Sequence, residues 1–467
     1  MRKISVFLLV VIFFLTTTIS AVPQTLVSQE GALEDARYLR EKLEQIHPNL
    51  YFATSKEDTE ERFRVVLEKL KSKNTWSKLG LYRVLAPFVA SFKDGHTSLS
   101  IYDEFREFAD RGGSIFPLLV RVEDGSIEVV ANLLKSEPGS GRRILSINGI
   151  PAETLYEELT DLVGAARKPF VESKVSSNFP IYLWARFELE KPYDITFVTE
   201  SGTEKSIKLE GISAERYREM KDSIMGKSEL NWDLTFPRKG FGLLTINTFR
   251  GDLKQEFREF VKDSFREIHR SEPEYLAIDL RNNGGGSTVL SDFLYGFVSA
   301  VPFRTFAEVR VKYSKPVMEK TTIFNPITLF RVTVLGDRTI VHKNDYSPPP
   351  ERKHRFTGKL FVLTGPGTFS TAADFAATIK DVGAGKIVGE ETGGLASSYG
   401  DVFSLELPNS GLDLGVSYKY FLRTGGFDDG RGVVPDIEIE TDRVERIEGT
   451  DPVLSGLLEK IDDETGG

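Results

Sequence analysis

Short stretches of this chain carry residue types that could do covalent chemistry. In Phe361–Ala377 (FVLTGPGTFSTAADFAA), an apolar run from Leu360 to Leu363 meets a Gly-Pro-Gly break. Thr-Phe-Ser-Thr follows and leads into Ala372, Ala373, Phe375, Ala376 and Ile379 at helical spacing. The pattern predicts a buried strand, a sharp turn and a helix. A serine at that turn, Ser370, has an exposed hydroxyl close to the free N–H groups of the first helical turn. That is the logic of a nucleophile elbow, although Gly-x-Ser-x-Gly is absent; taken alone, the stretch reads more simply as a serine N-cap. A second stretch, Asp279–Gly286 (DLRNNGGG), sets Gly284, Gly285 and Gly286 between a strand, Tyr275–Leu280, and a helical segment, Val289–Val298. Successive N–H groups of such a loop can converge on an anion. On neighbouring strands, the two pieces would form the nucleophile and oxyanion hole of an acyl-transfer enzyme. A third stretch is Asp94-Gly95-His96-Thr97, in a turn. A lone histidine is more often structural than catalytic, and nothing local reverses that.

Other chemistries fit poorly. Neither GxGxxG nor GxxxxGK[ST] occurs, and Gly383-Ala384-Gly385-Lys386 lacks the earlier glycine and the following hydroxyl residue of a phosphate loop. With five scattered histidines and no His-Glu-x-x-His, a zinc site is not expected. The absence of cysteine removes disulfides, a thiol nucleophile and cysteine–zinc sites together. No metal and no cofactor are expected.

The elements that must hold these stretches fall into several regions. Leu33–Ile46, ended by His47-Pro48, Glu60–Leu70 and Trp76–Phe92 read as helices of a small N-terminal domain, residues 22–110. Short strands follow at Ile115–Val122, Ile127–Ala131 and Arg143–Ile147, with the tight-turn pair Asn148-Gly149. Leu155–Val163 reads as a helix, Arg167–Arg186 as an insertion, and Tyr193–Val198 and Ser206–Leu209 as strands of this region, 111–212. From about Gly240, strand, helix, strand, glycine loop and helix alternate in an α/β pattern. The core is expected over 228–450, with Phe303–Lys353 as a less regular arm or insertion and 451–467 as a polar tail around one short helix.

The chain of 467 residues is too long for one hydrophobic core. A net charge of −9 without a basic block argues against nucleic acid or an anionic membrane surface as partner. Arg2 and Lys3, the apolar run Val6–Leu15, and then Thr18, Ser20 and Ala21 follow the order of a secretory signal peptide, cleaved near Ser20–Ala21. The apolar part is shorter than the roughly 20 residues that span a bilayer, so no stable span is expected after cleavage. The protein is therefore expected to be periplasmic or secreted.

Together the blocks Asp279–Gly286 (DLRNNGGG), Thr364–Ala373 with Ile387–Gly394, and Gly432–Asp436 (GVVPD) resemble the tail-specific, or C-terminal-processing, serine peptidases. The helical N-terminal region ending in Asp-Gly-His-Thr fits that family too, and so does Gly141–Gly149, which is similar to the strand and turn of PDZ domains. The resemblance implies an α/β fold: a crotonase/ClpP-like core of strand–strand–helix units, an N-terminal helical domain and a PDZ-like strand-rich domain. It also implies a protein or peptide substrate, bound by its C-terminus, and Ser370 as nucleophile. Many members pair the serine with a lysine about one strand beyond, where this chain reads Gly393-Gly394-Leu395-Ala396-Ser397; Lys380 and Lys386 read as solvated helix-end residues. The branch similar to the tricorn core uses a histidine from an earlier domain, which His96 matches, so His96 is the expected general base. That branch orients its histidine through a preceding serine, replaced here by Gly95, and a distant acid, whose place Asp429 takes. The N–H groups of Gly285 and Thr371 would hold the oxyanion, and Gly284, Gly286, Thr392 and Gly393 would face substrate. The competing expectation is a non-catalytic protein on the same fold that binds a peptide or hydrophobic ligand.

Overall fold

A computed structural model describes residues 26–189, 191–225, 231–320, 336–440 and 451–465. The leader expected at 1–21 lies outside the described residues. Helices Gln29–Ile46, Lys56–Leu70 and Lys78–Ala90 build the N-terminal region. Each starts at a serine (Ser28, Ser55, Ser77) whose hydroxyl accepts the N–H three residues on, a cap worth about 1 kcal/mol. Their apolar stripes, including Leu39, Leu43, Phe63, Leu70, Leu85 and Phe88, close on one another.

The second region holds a hairpin, Leu118–Glu123 with Ser126–Asn132, and a four-stranded antiparallel sheet. That sheet runs Ile150–Pro151, Ile144–Ile147, Tyr193–Val198, Glu204–Leu209. Asn148 and Gly149 join its first pair with φ of 49° and 77°, the positive angles of the tight turn their sequence announces. The insertion is helical, with Lys168–Ser177 and Phe179–Phe187.

The core sheet has six strands in the order Trp232–Arg238, Phe241–Ile246, Tyr275–Asp279, Lys359–Thr364, Lys386–Gly389, Ile437–Glu438. Only the first pair is antiparallel. Alternate side chains of Lys359–Thr364 serve opposite faces. Leu360 and Val362 pack with helices Lys254–Ser271, Thr288–Val298 and Thr371–Asp381. Phe361 and Leu363 pack with Val453, Leu457 and Ile461 of helix Pro452–Thr465. A parallel sheet needs cover on both faces, and this explains why the terminal segment is a packed 14-residue helix rather than a polar tail.

A second, antiparallel sheet runs Arg338–Lys343, Phe306–Tyr313, Asp413–Arg423, Ser398–Glu406. The expected arm thus contributes Phe306–Tyr313 to this sheet, while residues 321–335 lie outside the described residues. The N-terminal region adds Ser98–Leu99 to the same sheet, with Leu99 opposite Leu414 and Ser98 opposite Gly415. This two-residue pairing carries the Asp-Gly-His-Thr turn onto the core.

Candidate active site

The turn between Lys359–Thr364 and Thr371–Asp381 is fastened to the neighbouring glycine loop. Thr368 Oγ1 donates to the Leu280 carbonyl (2.8 Å) and accepts the Gly365 N–H (3.1 Å). The Phe369 N–H donates to the Asn283 carbonyl at 3.0 Å, and Thr371 Oγ1 to the Gly286 carbonyl at 2.9 Å. Ser370 is held at φ 53°, ψ −132°, a conformation that costs a non-glycine residue about 1–3 kcal/mol. It stands at the N-cap position, yet its hydroxyl makes no cap bond. Instead Ser370 Oγ lies 2.9 Å from His96 Nε2, across 274 residues of sequence. The plain N-cap reading therefore fails.

Gly285 must be glycine here. Its φ is +100°, and a Cβ would sit 2.6 Å from Ser370 Cβ and 2.9 Å from the Phe369 carbonyl oxygen. Its N–H is occupied, donating to Asn283 Oδ1 at 2.8 Å, which differs from the expected oxyanion role. In the parallel bridge between Phe249 and Gly286, the bonds to Phe249 come from residues 285 and 287. The N–H of Gly286, like that of Thr371 at the start of its helix, is thereby left without an acceptor among the described residues. Gly284 and Gly286 are exposed. Thr392 is fully buried, its hydroxyl donating to the Gly394 carbonyl (2.7 Å) and accepting the Val433 N–H (2.8 Å). Arg167 donates to the Thr392 carbonyl (3.0 Å). Thr392 is thus a loop brace and not a substrate contact. Gly393 packs with no space for a side chain, a Cβ falling 2.0 Å from the Pro366 carbonyl oxygen.

The histidine turn is organised by Asp94. Its carboxylate accepts the His96 N–H (3.1 Å), Thr97 Oγ1 (2.6 Å) and Ser417 Oγ (2.6 Å). The Ser417 N–H also donates to Thr97 Oγ1 (3.1 Å). His47 Nε2 stands 3.3 Å from Asp94 Oδ2, close enough for attraction though not aligned as a full hydrogen bond. The His96 ring lies 4.5 Å from the Phe369 ring, which stacks on Phe170 at 4.2 Å. A Cβ at Gly95 would fall 2.8 Å from the Phe369 ring. The missing serine before His96 is therefore a steric consequence of this aromatic stack.

Burial is the main force on His96 and pushes its imidazole below the ordinary value of 6.5. Asp94, Asp401 and a hydrogen bond to the Tyr399 backbone act the other way, and Lys174 adds to the lowering. Burial alone would raise the Asp94 carboxyl, but His47, His96 and the Ser417 hydroxyl outweigh it and hold it well below the carboxylate range. Lys174 makes no ion pair within 4 Å among the described residues, and burial lowers its ammonium, with Asp94 acting against that. By contrast Lys380 is tied to the Val434 carbonyl and Asp436 (2.8 and 2.7 Å), and Lys386 lies 3.9 Å from Glu464.

Asp429 does not join this group. Its carboxylate accepts the Arg431 N–H (3.1 Å) and lies 4.0 Å from the Arg423 guanidinium. Arg423 is six residues along its strand from Ser417, where the histidine turn docks, and that separation spans about 20 Å. Sequence reasoning reached Ser370 and His96 but missed Asp94 as a partner, along with His47, Tyr399 and Ser417. The one local signal was the position of Asp94 two residues before His96, where a carboxylate can take up the backbone N–H groups of its own turn.

Residues 240–439 match the family model for peptidase family S41. No curated protein sequence matches the chain. Among solved structures, mature CPAF complexed with lactacystin is similar at TM-score 0.67 and 16% identity, over 94% of this chain and 98% of that one. Mature CPAF is similar at TM-score 0.64 and 17% identity, over 93% and 96%. At such identity the likeness concerns the fold, whereas the family match covers the serine turn and the glycine loop. Residues 240–439 thus form a serine peptidase domain similar to peptidase family S41, and the helical N-terminal region, strand-rich second region and α/β core share the fold of the CPAF structures.

Proposed function

We propose that this protein is an exported endopeptidase that cuts protein or peptide substrates through a Ser370 acyl-enzyme, with His96 as general base. The observation that carries the reading is the 2.9 Å contact between Ser370 Oγ and His96 Nε2. For Nε2 to accept the serine proton, the ring hydrogen must sit on Nδ1. The Tyr399 backbone acts on the ring in the sense that favours that tautomer. The lowered imidazole pKa keeps the base neutral at working pH.

As the Oγ–C bond forms, His96 takes the hydroxyl proton and the carbonyl oxygen becomes an oxyanion. The free N–H groups of Thr371 and Gly286 are the donors at hand, and each such donor is worth about 3–4 kcal/mol in the transition state. His96 then returns the proton to the leaving amine as the C–N bond breaks. Water attacks the acyl-enzyme with His96 again taking a proton, which it returns to Ser370 Oγ as the acyl C–Oγ bond breaks and the carboxylate product leaves. The strand-rich region would receive the peptide, by its C-terminus, beside the exposed Gly284 and Gly286.

An active-site serine phosphonate tests the reading. Modification of Ser370 that disappears in His96→Ala supports the peptidase, and an inert serine in the intact protein would make this a binding protein on a peptidase fold. Export rests on the leader at 1–21; N-terminal sequencing of the exported protein should begin near Val22, and an intact Met1 would contradict it.

A further inference from the structure

We infer that His47 and Asp94 form the positioning pair for the His96 base, in place of an acid near Asp429. The inference rests on the peptidase reading and deepens it. His47 ends the first helix, is 1% exposed, and its Nδ1 accepts the Asn49 N–H at 3.1 Å. Its remaining proton therefore sits on Nε2 and faces Asp94 Oδ2, 3.3 Å away. The other side of the His47 ring lies against Tyr399 at 4.6 Å. Tyr399 precedes Gly400, where a Cβ would lie 3.7 Å from His96 Cε1, and the Tyr399 backbone raises the His96 imidazole pKa.

His47 thus reaches the base along two routes. One passes through Asp94 to the His96 backbone N–H, and the other through Tyr399 to the His96 ring. Asp94 also spans the seam between regions, because Ser417 Oγ comes from the core strand while His47, Thr97 and His96 come from the N-terminal one. A buried carboxylate in this place does two things. It fixes the turn against the core, and its negative charge favours the imidazolium that forms as Ser370 attacks.

The test is carried out on the full-length protein with Asp94→Asn and His47→Gln, using phosphonate labelling of Ser370 and peptide hydrolysis from acid to neutral pH. Asp94→Asn should lower kcat by about 100-fold, within the range that general-base catalysis supplies, with KM little changed. Its acid limb should move to lower pH, because the charge opposing Lys174 at His96 is gone while Asp401 remains. His47→Gln, which keeps an N–H donor, should retain more activity than His47→Phe. Thermal unfolding separates a folding defect from a positioning one, since only the latter moves the pH limb in a protein that still melts cooperatively. Wild-type kcat and an unmoved limb in Asp94→Asn would overturn the inference while Ser370 still labels. If wild-type Ser370 does not label, the peptidase reading falls first and the inference falls with it.

Discussion

The two halves of the site are held by different kinds of force. The serine turn is fastened by neutral hydrogen bonds to backbone carbonyls of an adjacent parallel-strand loop, and by a glycine that touches the serine itself. The histidine turn is fastened by one buried carboxylate and a two-residue strand pairing. Neutral local bonds do not respond to pH or to domain docking, whereas a charged contact across a seam responds to both. On the proposed mechanism, the serine half is therefore the one insulated from pH and docking, and the histidine half is where activity can be tuned.

The contrast can be broken from either side. The largest effect is expected for Ser370→Ala or His96→Ala, each lowering kcat by about 10⁴-fold or more, with the double variant no worse than either alone, because groups acting as a unit are not additive. Kinetics on the three variants check this. Next comes Gly285→Ala, which sets a methyl 2.6 Å from Ser370 Cβ at a φ of +100°. A displacement of about 1 Å in the nucleophile should cost on the order of 100-fold in kcat, while the pH profile keeps its wild-type shape because the histidine turn is untouched.

A smaller change sharpens the comparison on the base side. His96 lies below its ordinary value of 6.5, so the midpoint of the acid limb of wild-type activity should fall below pH 6.5. Lys174 pushes in the same direction as burial; Lys174→Met should move that limb to higher pH by less than about one unit, with little change in plateau rate. A limb that moves down instead would reverse the assigned sign. The smallest effect is expected on the serine side, at Asp374 in the elbow helix. Burial, followed by Asp292 and Asp401, holds its carboxyl well above the carboxylate range. A raised value in the folded protein means stability is lost as pH climbs through it, so Asp374→Asn should be the more stable form at neutral and alkaline pH. The gain should be about 2 °C in Tm, corresponding to roughly 1 kcal/mol, and should shrink toward pH 4.

Much of the core was legible because its signals are local. Leu360 to Leu363 alternate between two faces, Asn148-Gly149 makes its turn, and Gly-Pro-Gly before Thr-Phe-Ser-Thr marks the elbow. A short helix is expected in the terminal segment, but its packing was not legible, because its inward residues Val453, Leu457 and Ile461 gain meaning only against the open face of a sheet formed elsewhere in the chain.

What the sequence by itself determined is the serine at a strand-to-helix turn, the glycine loop able to lie against it, and the α/β order of the core. These follow from turn chemistry and periodicity within a few residues. Only the tertiary structure decided that Asp94 and not Asp429 accompanies His96, that Gly285 spends its N–H on Asn283, and that Thr392 braces a loop. Each of those outcomes depends on which groups become neighbours when separate regions pack and bury their polar atoms, and no spacing along the chain encodes that distance.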